Sequence, residues 1–143
     1  MKKFLEIKPE KGLGDFNFGM HIKEVTEFFG EPDETEILND EDFETRINSY
    51  WEKGLTFFFE GDGNSVLACI ETDNEDVTLY GRKIIGATEA EVVALMAENG
   101  YKDWEEENEE WGEKRITFED IALDFYFEND ELISVSWATL EDY

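Results

Sequence analysis

Apolar positions follow two different periods along the chain. In 21–29, Ile22, Val25 and Phe28 recur three apart, and in 88–99, Val92, Leu95 and Met96 recur at i, i+3 and i+4. Both spacings put apolar side chains on one face of a helix. Thr88 followed three residues later by Glu91 reads as a capping box, and His21 and Glu24 hold the same positions before the first helix. Gly30 and Gly100 supply left-handed stops, with Pro32 beyond the first. Short helices are predicted over these two segments.

After each helix the period falls to two, and β-branched and aromatic residues dominate. Strands are predicted at 46–51, 54–60, 66–72, 114–118, 121–128 and 131–138, with weaker ones at 34–38 and 101–107. Turns are expected at Lys53-Gly54, Gly61 to Asn64, Glu119-Asp120 and Asn129-Asp130. Alternation turns Leu55, Phe57, Phe59, Leu123, Phe125 and Phe127 toward the helices. It turns Phe58 and Tyr126 outward, beside Thr56, Glu60, Asp124 and Glu128.

The pattern also repeats. At an offset of 67, Gly19 through Phe29 falls on Gly86 through Met96, sharing G-x-x-x-x-E-V and an apolar pair. At an offset of 68, Leu55 through Asp62 falls on Leu123 through Asp130, and Leu67 through Ile70 then matches Leu132 through Val135. Three ordered matches at nearly one offset indicate a duplication. The expected fold class is α+β: a tandem duplication of helix plus antiparallel β-meander, with helices on one side of the sheet. Residues 1–143 are expected to form a single compact domain of two repeats, about 14–80 and 81–138.

Gly19-Met20, Glu24-Val25 and Gly30-Glu31-Pro32 resemble the G-M-x-x-x-E-V…G-x-P opening of the tandem-repeat β-lactamase-inhibitory-protein-like fold. Small single-repeat outer-membrane assembly lipoproteins share that plan. The resemblance covers about 14–138, and it implies a binding module whose open sheet face meets a protein partner.

Charge narrows the partner. The chain has 38 acidic against 12 basic residues, a formal charge of −26, while 41% hydrophobic content argues for a folded chain. Such a surface repels phosphate backbones and acidic headgroups, so neither nucleic acid nor membrane is an expected partner. A basic protein is. No apolar run long enough for a signal peptide or a membrane span occurs, and Cys69 stands alone, so a cytoplasmic protein is expected.

Little chemistry stands out. His21 has no partner in sequence for acid–base or metal work and reads as a helix-start residue. Cys69 has no basic neighbour to activate it. Glu60, Asp62, Asn64 and Glu71 have the spacing of a calcium loop, but Ser65 replaces the required glycine and the flanks are strands. No catalytic residue, metal or cofactor is therefore expected. The acidic run Asp103 to Glu113 encloses Trp104 and Trp111, residues of the type that anchors interfaces. Phe58, Tyr126, Trp104 and Trp111 are the candidate partner-binding residues. The expected function is a non-catalytic protein-binding module, an immunity or inhibitor protein masking a basic partner such as a nuclease toxin. The alternative is a structural or assembly module whose acidity serves solubility or salt adaptation.

Overall fold

The period-two segments build one large sheet, and stretches too short to show any period build a second. The structure is a computed structural model that describes residues 5–40, 43–61, 65–108 and 112–140. In chain order its elements are β1 (Glu6–Lys8), β2 (Gly12–Leu13), β3 (Phe16–Asn17), α1 (Ile22–Phe29), β4 (Glu34–Asp40), β5 (Phe43–Tyr50), β6 (Leu55–Glu60) and β7 (Val66–Thr72). There follow β8 (Thr78–Leu79), β9 (Arg82–Lys83), α2 (Glu89–Glu98), β10 (Glu105–Asn108), β11 (Glu113–Phe118), a 3-10 turn (Glu119–Ile121), β12 (Leu123–Glu128) and β13 (Glu131–Ala138).

The large sheet has eight strands in the order β10-β11-β12-β13-β7-β6-β5-β4, all antiparallel. The small one runs β3-β2-β1-β8-β9, with β1 and β8 parallel. The α+β plan expected from the sequence, a helix-plus-meander duplication with helices on one side of the sheet, is therefore corrected. The chain is mostly β and packs as a sandwich, with two α-helices among the described residues, of only eight and ten residues.

The physical reason is strand length. No strand of the small sheet exceeds three residues, so alternation has no room to appear, and Gly12, Gly14 and Gly81 make those stretches read as loop. Yet Leu5, Ile7, Leu13, Val77, Leu79 and Ile84 there are buried and form part of the core wall. The two sheets are tied by the indole of Trp137, which donates from Nε1 to the Gly12 carbonyl at 2.8 Å.

The two halves of the large sheet share one pairing register. Phe57, Phe58 and Phe59 of β6 face Ile70, Cys69 and Leu67 of β7, while Phe125, Tyr126 and Phe127 of β12 face Val135, Ser134 and Leu132 of β13. Each pair carries an irregularity at the same step. Where the halves meet, Thr72 pairs with Val135, Glu71 with Ser136 and Ile70 with Trp137. A local two-fold axis thus passes through the Glu71–Ser136 pair. Helix entry is fastened alike in both halves, by Gly19 N–H on the Leu67 carbonyl and Gly86 N–H on the Leu132 carbonyl, each at 2.8 Å.

Side chains at the helix starts close the free backbone donors left by the first turn. Thr88 and Glu91 form the reciprocal capping box, and His21 Nδ1 accepts from Lys23 N–H at 3.1 Å. Val25, Val92, Leu95 and Met96 face the core, and the Phe29 ring lies 5.2 Å from that of Phe57.

Candidate functional site

In β6 and β12, buried residues alternate with half-exposed ones, so the large sheet has one face in the core and one outside. Cross-strand pairing defines what the outer face carries. One row crosses all eight strands: Glu105, Thr117, Asp124 and Ser136 in one half, then Glu71, Thr56, Ser49 and Glu34 in the other. Four carboxylates are interleaved with four hydroxyls. Thr117 Oγ1 donates to Asp124 Oδ1 at 2.5 Å.

Phe58 and Tyr126 flank this row from opposite sides. Phe58 pairs with Ile47 and Cys69, with Glu36 and Ala138 completing a largely apolar row. Tyr126 pairs with Arg115 and Ser134, and Arg115 is in turn ion-paired to Glu107. Both rings are half-buried. They share a face but stand three strand spacings apart, about 14 Å across the strands, with about four residues of further offset along them, and form two separate spots.

Trp104 is elsewhere. It packs against the hydrophobic core and borders a groove with Lys102, Glu105 and Glu119. The alternation used for Phe58 and Tyr126 gave no information there, because Trp104 precedes the strand that begins at Glu105. Trp111 lies outside the described residues, as do Asp62 and Asn64 of the acidic hairpin.

Beside the two-fold axis the outer face is indented. A groove of about 380 Å³ is lined by Trp51, Thr56, Glu71, Asp73, Ile133 and Ser134, among others. Trp51 is 61% exposed and Ile133 is 39% exposed. Sequence reasoning placed Trp51 at the end of a strand and gave it no role. Alternation could not have found it, because β5 ends at Tyr50 and Trp51 sits in the turn that follows.

The turn that carries Trp51 is tightly held. Thr72 Oγ1 donates to the Gly54 carbonyl at 2.7 Å, Asn74 Nδ2 donates to the Lys53 carbonyl at 2.7 Å, and Asp33 Oδ2 accepts from Trp51 N–H at 2.8 Å. Gly54 has φ of +60°, and a Cβ there would meet the Asp73 carboxylate, so the position favours glycine.

Electrostatics follow from this packing. Burial, and then the charge of Asp73, holds the Glu71 carboxyl above the usual carboxylate range. Burial, followed by the charges of Asp124 and Glu71, raises the Tyr126 phenol, with Arg115 opposing. Burial pushes the Cys69 thiol up to about 11, and its sulfur lies 3.7 Å from Ser136 Oγ. At neutral pH Cys69 is a protonated strand residue, without the thiolate character that nucleophiles need. His21 is engaged as a helix cap.

No protein-family model and no curated protein matches the sequence. In three dimensions the chain is similar to an extracellular protein containing a SCP domain from Bacillus anthracis str. Ames, with a TM-score of 0.51 and 13% identity. The match covers 94% of this chain and 50% of that one, so this chain spans about half of that protein's length. At that identity the likeness concerns the fold alone.

Proposed function

We propose that the protein is a non-catalytic binding module that presents the outer face of its large sheet to a basic protein. The observation that carries this is the acidic and hydroxyl row crossing all eight strands, flanked by the half-buried rings of Phe58 and Tyr126. Carboxylates so arranged speed the encounter with a cationic surface, and the aromatic area is what a close partner covers. The sharpest form of this function is an immunity or inhibitor protein in the cytoplasm that masks a nuclease toxin, since nucleases are basic where they grip phosphate.

The test is capture from the native host with wild type and the Phe58→Ala/Tyr126→Ala double variant side by side, each followed by a salt wash. A basic protein retained by wild type, released by salt and lost by the variant supports the function. Equal retention by both, or retention unaffected by salt, refutes it. A second reading, a structural or assembly module whose acidity serves solubility, is favoured by one observation: a similar fold occupies half of a longer extracellular protein.

A further inference from the structure

The register shared by the two halves of the large sheet makes their differences informative. The extra residue of β13 beside its irregularity is Ile133, between Leu132 and Ser134, and it is 39% exposed. The same position in β7 is Ala68, which is buried. At the turn preceding the third strand of each meander, one half carries Trp51 and the other carries Glu119, residues at equal distance before Leu55 and Leu123. A bulge re-aims a side chain, and here it leaves a large apolar one lining the same groove as an exposed tryptophan. Both departures fall in one groove, the indentation that Glu71 and Asp73 line with carboxylates.

Apolar walls over an acidic floor fit a particular guest. The backbone that carries the exposed indole is fixed by Thr72, Asn74 and Asp33, so only the side chain itself remains to be ordered when it is covered. A planar guanidinium stacks on an indole face and takes carboxylates along its edge, and its aliphatic stem packs on a residue such as Ile133. A neutral apolar guest would leave the carboxylates desolvated, and an acidic one would be repelled. With a net charge of −26 a second copy of this chain is disfavoured in the same way.

We infer that the groove between Trp51 and Ile133 is the seat for an arginine side chain of the basic protein partner, with the indole stacked on the guanidinium and Glu71 and Asp73 as its counter-charges. This rests on the outer sheet face being the binding surface and names the place where that surface is most selective.

The experiment titrates ¹⁵N-labelled full-length protein with a capped glycine-flanked arginine peptide, and with the neutral isosteric citrulline peptide as control. The four tryptophan indole N–H signals, of Trp51, Trp104, Trp111 and Trp137, are assigned by single Trp→Phe variants. The arginine peptide is expected to shift the Trp51 signal selectively and the citrulline peptide to leave it in place. Affinity should fall about tenfold in Trp51→Ala, as expected for a cation held on an indole face, and should also fall in Glu71→Gln. Because Trp51 is mostly exposed, its removal leaves the core intact, which the remaining amide spectrum verifies. Shifts confined to residues around Phe58, with Trp51 unmoved, overturn the groove but leave the sheet face standing as the binding surface. No shift anywhere on the outer face overturns both. Equal response to the two peptides removes charge as the basis of recognition and overturns the inference.

Discussion

Two adjacent phenylalanines on β6 separate the core from the outer face, and substituting each in turn measures that division. Phe57 is fully buried, with the rings of Phe29, Tyr50 and Phe59 at 5.2, 5.9 and 6.3 Å. Phe57→Ala removes a ring from a space that its neighbours cannot fully close, and such truncations cost about 3–5 kcal/mol. Phe58 is half-buried between Ile47 and Cys69 on the other face. Its truncation forfeits about half of a full side-chain transfer, about 1 kcal/mol, and water fills the gap without leaving a cavity. In a domain of this size each kcal/mol moves Tm by about 3–4 °C. The Phe57→Ala variant should therefore melt about 10–20 °C lower, and Phe58→Ala about 3–4 °C lower. Urea unfolding followed by circular dichroism gives the free energies directly, provided the slope stays constant between variants. Equal losses in the two variants would refute the division, because Phe58 would then be a second core residue and could not serve a partner.

Trp137→Phe should cost about 2 kcal/mol, since it strands the buried Gly12 carbonyl and leaves a small void. Hydrogen exchange in 5–17 should quicken in that variant, and a loss below about 0.5 kcal/mol would mean that the indole does not tie the sheets. Glu71 gives a pH dependence of determined sign. Its folded pKa is raised, by burial and then by Asp73, so the fold binds that proton more tightly than the unfolded chain does. Acidification through that range stabilises the protein, and the gain is lost as pH rises through the folded pKa. Glu71→Gln should thus be more stable than wild type at about pH 7 and should gain less on going to about pH 5. A variant less stable than wild type at neutral pH would contradict the assignment.

Period and punctuation sufficed for most of the long elements, although the strand expected at 46–51 runs Phe43–Tyr50. Helices expected at 21–29 and 88–99 occur at Ile22–Phe29 and Glu89–Glu98, and strands expected at 66–72 and 131–138 occur at Val66–Thr72 and Glu131–Ala138. These segments are long enough for a hydrophobic face to repeat several times, and caps or glycines mark their ends. Local chemistry also identified the Thr88–Glu91 capping box and the outward side of Phe58 and Tyr126, because both depend only on neighbours in sequence.

Tertiary structure decided the rest, for reasons of length and distance along the chain. The five-stranded sheet is assembled from strands of two or three residues drawn from 6–17 and 78–83, and its stability lies in the buried contacts between those distant stretches. A pairing of that kind leaves no period to read. The same holds for the groove. Trp51, Glu71 and Ile133 acquire a common surface only when β7 pairs with both β6 and β13, with Glu71 on the axis between the halves. Alternation along one strand states which way a side chain faces, but the identity of its neighbours is set by strand order, and strand order is a property of the whole packed chain.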